Sequence, residues 1–165
     1  MNAVVRVAQA ADAAAACRIL RRAISECCTE DHRNDRAILD AWLGNKTPEN
    51  VASWFACTAH YSVVAQCGDT LAGVAILSRQ GRILLFYIEP ALRYTGTGKA
   101  LLQALETQGR EWGLRSMQVA STYTASAFYL RNGFTETGRT RSAYGAEALA
   151  LVKQLPGGSP CGCGR

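Results

Sequence analysis

No stretch of this chain approaches the ~20 consecutive apolar residues that a membrane span requires. Its alanine-rich N-terminus is interrupted by Asp12 and Arg18 before a signal-like core can form. A soluble protein is therefore expected. Paired CxxC motifs with nearby histidines are also missing, so no zinc site and no other metal is assigned. Cysteines number seven, an odd count, and Cys17, Cys27, Cys28, Cys57 and Cys67 fall in periodic apolar segments where a reduced thiol packs as a small hydrophobe. A reducing cytoplasm is the expected home. Cys161 and Cys163 form a CxC in the tail PGGSPCGCGR, which reads as a disordered end over residues 156–165 carrying two incidental thiols. With no internal repeat and no linker before residue 155, residues 1–155 are expected to form one domain.

What is present suits such a domain. A chain of 165 residues buries roughly 70% of its unfolded surface, and 48% hydrophobic against 19% charged residues places it among ordinary globular proteins. The formal charge of +5 comes with 13 interspersed acidic residues, too diluted for a nucleic-acid stripe. No nucleic-acid or membrane partner is expected, whereas a small polyanionic cofactor suits the balance.

Periodicity gives a mixed α/β order. Val4 to Val7 reads as an edge strand, followed by a helix near Ala10 to Glu26. The polar run TEDHRND at 29–35 reads as a loop leading to a second helix through Ile38, Leu39 and Trp42. Thr47 and Pro48 offer a cap and a first helical position, with a short helix continuing through Val51 to Cys57. Tyr61 to Cys67 and Leu71 to Ser78 read as a hairpin turned at Gly68 and Asp69, and the unbroken apolar run at 83–88 as a central strand. A glycine turn, a helix from Gly96 to Trp112, a strand at 116–121, a short helix at 125–131 and two final strands complete the order.

The segment RYTGTGKALL at 93–102 follows a strand and opens a helix, the geometry in which free backbone N–H groups and the helix dipole hold phosphate. Gly96 and Gly98 place no Cβ between amide and ligand, and Arg93 and Lys99 add positive charge. A Walker A loop needs glycine at 93 and Ser or Thr at 100, where this chain has Arg93 and Ala100. A dinucleotide fingerprint needs glycine at 101, which is Leu101, and an acid near 123, which is Tyr123. Neither of those cofactor classes fits, and a tight turn remains the plain alternative for a bare GxG.

Arg93-x-x-Gly96-x-Gly98-x-Ala100, after a strand ending Ile88-Glu89-Pro90, resembles the acetyl-CoA pyrophosphate loop of the GNAT N-acetyltransferases. AFYLRNGF at 127–134 is similar to that superfamily's FY-x-x-x-GF signature. The likeness is strongest from about residue 71 to 135. It implies a central, mostly antiparallel twisted sheet of six to seven strands flanked by helices, with acetyl-CoA between the fourth and fifth strands. It further implies that Phe86, Tyr87 and Ile88 face the pantetheine arm and that Arg93, Tyr94, Thr95, Gly96, Thr97, Gly98 and Lys99 wrap the pyrophosphate. Thr122 stands where many members place a cofactor-bonding Asn.

Acetyl transfer to an amine needs a neutral nitrogen, a polarised carbonyl and a proton for the departing thiolate. By the same resemblance Tyr129 would give that proton, a phenol of pKa near ~10 being protonated at neutral pH; its alternative is a core aromatic behind Phe128. A backbone N–H near Ile88 would polarise the carbonyl. Glu26, Glu30, Asp31, His32 and Glu89 lie where acceptor-side elements should converge, with solvated surface charge as the plain alternative. Carboxylates at 26, 30, 31 and 35 would together attract a cationic amine, whether small molecule or peptide, while Trp42 and Trp54 read as core. Two rivals remain: a catalytically silent CoA-binding module, and a nucleotide-binding protein using Gly96 to Lys99. Monomer and homodimer are equally compatible with the sequence.

Overall fold

The N-terminal periodicity becomes helix α1 (Ala13–Cys27), which buries Ala16, Cys17, Ile19, Leu20, Ala23 and Ile24 along one face. These details come from a computed structural model that describes residues 2–156. Cys161, Cys163 and all but the first residue of the expected tail lie outside the described residues. Asp12 secures the start of the helical region: its carboxylate accepts from the Gln9 N–H at 2.8 Å and from the two terminal guanidinium nitrogens of Arg6, each at 2.8 Å. Asp35 accepts the Ala37 and Ile38 N–H groups to cap α3 (Arg36–Leu43), and Thr47 caps α4 (Pro48–Ala56), with Pro48 at its first position.

One expectation fails in this region. The polar run at 29–35 is not simply a loop: Thr29–His32 form a helical turn, α2, closed by Arg33 and Asn34 at φ 51 and 55. Asp31 and His32 are 7% and 1% exposed. Polarity predicted solvent, but each side chain has partners from other segments that satisfy it, and a satisfied polar group can be buried.

Seven strands follow the expected order in two sheets. Strands β1 (Val4–Val7), β2 (His60–Cys67), β3 (Thr70–Ser78) and β4 (Ile83–Ile88) pair antiparallel in that sequence. Strands β5 (Ser116–Ser121), β6 (Thr135–Arg141) and β7 (Glu147–Gln154) pair in the order β5-β7-β6. The expected single sheet is thus divided between β4 and β5, which run parallel and meet at one bridge, Arg82 with Gln118, where the Gln118 N–H donates to Gly81 O at 2.8 Å. Beyond it, aromatic rings of helix α6 (Tyr123–Arg131) pack onto β4: Phe128 and Tyr129 lie 5.6 and 5.7 Å from Phe86.

Helix α5 (Thr97–Glu111) covers one face of the first sheet with Leu101, Leu102 and Leu105, in a core that continues through Met117, Tyr129 and Phe134. α1 and α4 cover the other face over Val64, Val74 and Ile76. Lys153 of β7 ties the α5–α6 side together, donating to Glu106 at 2.5 Å and to the Asn132 carbonyl at 2.7 Å, where a cation suits the C-terminus of α6.

Candidate active site

The loop from Arg93 to Gly96 turns the chain from β4 into α5. Gly96 is the residue before the helix, at φ 88, and Tyr94 also adopts positive φ, 64. The first backbone bond of the helix runs from Ala100 N–H to Gly96 O at 3.1 Å. The amides of Gly96, Thr97, Gly98 and Lys99 therefore have no intrahelical acceptor. Thr95 donates to Leu92 O at 2.6 Å and meets the Thr97 hydroxyl at 3.0 Å. These two side chains brace the loop, while Arg93, Tyr94, Gly96, Gly98 and Lys99 line a cavity of about 480 Å³.

The same cavity is walled by Phe86, Tyr87 and Ile88 of β4 and by Thr122 and Phe128. Glu89 N–H donates to Ala72 O across β3 at 2.8 Å. Ladder alternation then turns the N–H and C=O groups of Ile88 and Phe86 away from β3, toward the side where no strand pairs with β4 among the described residues. Thr122 Oγ1 accepts the Ala125 N–H at 3.1 Å, so its lone pairs serve as the α6 cap. Cys28 also lines the cavity, but burial first and Asp31 second push its thiol up to about 12, leaving it protonated and a poor nucleophile.

A second cavity, of about 570 Å³, lies against Asp31, Trp42, Tyr144 and Glu147, and shares Tyr87 and Thr122 with the first. Tyr87 of β4 and Thr122, between β5 and α6, thus form a wall common to both spaces. Tyr87 is tied there by the Trp42 indole N–H, which donates to its hydroxyl at 3.2 Å. Burial, then Cys28, Tyr144 and the Tyr129 phenol, hold the Tyr87 phenol well above its ordinary range, opposed in part by the Trp42 bond. Tyr129 lines neither cavity. Its ring is 2% exposed among Phe86, Phe128 and Phe134, and burial holds its phenol well above the usual value. Among the described residues the one sealed, unpartnered polar side-chain atom is Ser62 Oγ. The Tyr129 hydroxyl has no hydrogen-bond partner among the described residues.

The expected acceptor-side carboxylate cluster does not form. Glu26 pairs with Arg22 at 3.3 Å, Glu89 pairs with the same Arg22, and neither lines these two cavities. Glu30 is exposed and Asp35 caps α3. His32 is closed off: Nδ1 accepts the Asn34 N–H at 3.1 Å and Nε2 faces Ile24 O at 3.1 Å. Of the proposed acceptor residues only Asp31 reaches the second cavity, and its carboxylate is already engaged at the start of α6, accepting the Tyr123 N–H at 2.6 Å and the Thr124 hydroxyl at 2.7 Å. Asp31→Ala is expected to lower stability by about 1–3 kcal/mol by stranding both donors, read from the denaturant midpoint, with Asp31→Asn intermediate.

Sequence reading missed Tyr144 and Glu147 as cavity residues and took Trp42 for core alone. Trp42 is 3% exposed, yet it stacks on Tyr144 at 5.3 Å and 8° and borders the second cavity. The available signal was Tyr144-Gly145 between two strands, a hairpin tip carrying an aromatic.

The GNAT acetyltransferase domain family matches residues 28–155. No curated protein matches the sequence significantly. Among solved structures, a GCN5-related N-acetyltransferase from Rhodopseudomonas palustris superposes with TM-score 0.84 at 19% identity, covering 94% of this chain and 97% of that one. The PaiA N-acetyltransferase of Thermoplasma acidophilum in complex with coenzyme A gives 0.75 at 16% identity, covering 93% and 99%. YncA of Salmonella typhimurium with acetyl-CoA gives 0.70 at 21%, covering 99% and 100%. At these identities the likeness concerns the fold.

Proposed function

The chain belongs to the GNAT acetyltransferase family, and from that premise we propose that it moves the acetyl group of acetyl-CoA to a primary amine by direct attack in a ternary complex. The observation that carries this reading is a pair of cavities with Tyr87 and Thr122 as a common wall, one headed by the free amides of α5 and the other left for the acceptor. The amides of Gly96 to Lys99, with Arg93, fit a pyrophosphate because helix N-termini favour anions. The unpaired backbone groups of Phe86 and Ile88 fit an amide-bearing pantetheine arm.

Acetyl-CoA supplies an activated thioester. The Ile88 N–H is oriented to donate to the carbonyl oxygen as negative charge develops. The amine nitrogen forms the new bond to the carbonyl carbon, the C–S bond breaks, and Tyr129 Oη gives its proton to the sulfur. Solvent takes the proton lost by the amine and restores the phenol. Release of free CoA thiol is expected when acetyl-CoA is mixed with the protein and a panel comprising a polyamine, an amino acid, a peptide N-terminus, a lysine peptide and an aminoglycoside. CoA should stabilise the protein thermally where ATP does not. Stabilisation by CoA with no thiol release from any amine would replace this reading by a silent CoA-binding module.

A further inference from the structure

Lys46 is 1% exposed and has no carboxylate among its contacts in the described residues. Its backbone is pinned to α1, its carbonyl accepting from Cys17 Sγ at 3.1 Å and from an Arg21 guanidinium nitrogen at 3.0 Å. Its ammonium donates to Asn45 Oδ1 at 2.7 Å and to the Tyr144 hydroxyl at 3.4 Å, and lies over the rings of Tyr144 and Trp54 at 5.0 and 5.8 Å. Burying an ammonium without an acidic partner is unfavourable, so stability alone does not account for this residue.

Tyr144 gives Lys46 its reach. It stands at the tip of the β6–β7 hairpin, whose hydrogen bonds close on themselves: Ser142 N–H to Ala146 O, Gly145 N–H to Ser142 O, and the Tyr144 and Ala146 N–H groups to Ser142 Oγ. The Tyr144 side chain carries the tip to the helical layer by stacking on Trp42 and meeting Lys46. Trp42 in turn donates to Tyr87, which both cavities share.

We propose that Lys46 is a positioning residue for the acceptor site: by gripping Tyr144 against Trp42 it fixes the hairpin tip as a wall of the acceptor-side cavity, without touching the acceptor. The proposal rests on the acetyl-transfer reading above. Attraction between an ammonium and an aromatic ring requires the protonated form, and burial lowers the Lys46 pKa to about 8. The titratable side chains facing it are Cys17 of α1, which opposes that shift, and Tyr144 of the hairpin. The grip therefore holds below about pH 8 and loosens above it. Stability runs the other way. With the folded pKa lowered, the unfolded chain binds more protons between about 8 and the ordinary lysine value, so the parent gains stability with rising pH there and bears the full burial cost below. Lys46→Met, apolar and of similar volume, is expected to fold at least as well as the parent.

With the best amine of the panel at pH 7, Lys46→Met should raise acceptor KM about fivefold or more, with kcat and CoA affinity within twofold of the parent. Tyr144→Leu, which removes the wall itself, should raise KM at least as much, and the double variant should add little to it, because without the ring Lys46 has nothing to grip. The difference in KM between parent and Lys46→Met should shrink as pH rises from 7 to 9.5. An unchanged KM, or a kcat loss without a KM change, overturns the proposal. A second measurement needs no acceptor: the chain has three lysines, Lys46, Lys99 and Lys153, so the 13Cε signals of lysine-labelled protein can be assigned by substitution. Lys46 should titrate near 8 in the parent and be displaced by Tyr144→Leu. A Lys46 titration indifferent to Tyr144→Leu overturns the grip even if no amine is acetylated, an outcome that would separately defeat the acetyl-transfer reading.

Discussion

Tyr129→Phe is expected to lower turnover by about 10²-fold or more while leaving CoA affinity and the fold intact. The ring is held by Phe86, Phe128 and Phe134 at 5.7, 5.4 and 5.1 Å, and phenylalanine preserves those contacts. The hydroxyl has no partner among the described residues, so its removal strands no donor or acceptor and should be nearly neutral for stability. Burial raises the phenol above its ordinary value, which keeps the proton in place throughout the neutral range. The parent should accordingly show no loss of rate from Tyr129 ionisation below about pH 10. The Tyr129 ring packs on Phe86 and Phe128, both in the wall of the first cavity. Single-turnover kinetics with saturating acetyl-CoA would separate chemistry from release, and an unchanged chemical step would leave Tyr129 as a core aromatic.

The loop that opens α5 was legible in the sequence because its requirements are local. The end of a strand, two glycines two residues apart, flanking cations and a helix start follow one another closely, and the structure brings Arg93, Gly96, Gly98 and Lys99 to one cavity. Proximity along the loop did not reveal that the Thr95 and Thr97 hydroxyls meet each other or that Thr95 donates to the Leu92 carbonyl. Strand order was also readable from alternation and turns. The division into two sheets was not, since it depends on whether β4 and β5, separated by a whole helix, remain paired beyond Arg82 and Gln118.

The surroundings of the carboxylates were not legible, because their contacts are distant in sequence. Asp31 looks solvated among TEDHRND, and its partners are Tyr123 and Thr124, more than 90 residues away. A carboxylate that seemed free to attract an amine instead holds the start of the helix that carries Tyr129. Lys46 and Tyr144, 98 residues apart, leave no periodic signal at all. Hydropathy reports the average environment of a residue type, whereas these side chains are decided by individual partners.

The second large effect concerns the anion cradle: the Gly96→Val, Gly98→Val double variant is expected to weaken CoA binding by 10²-fold or more, about 2.7 kcal/mol. The two positions act differently. At Gly96 the backbone φ of 88 is one that valine enters only with strain, so the turn that aims the first α5 amides would shift. At Gly98 the backbone is helical, but an added Cβ would lie 3.2 Å from Phe128 Cε2, in the wall of the cavity. Valine there would press on Phe128 and stand where a phosphate must approach the amide. Gly113→Val serves as the control, since it imposes similar strain at φ 74 beyond the far end of α5, with nothing within 4 Å of the added Cβ. Calorimetry with CoA on variants that retain a cooperative thermal transition decides the matter. The control should bind as the parent does, and equal affinity in a folded double variant would show that the phosphates lie elsewhere.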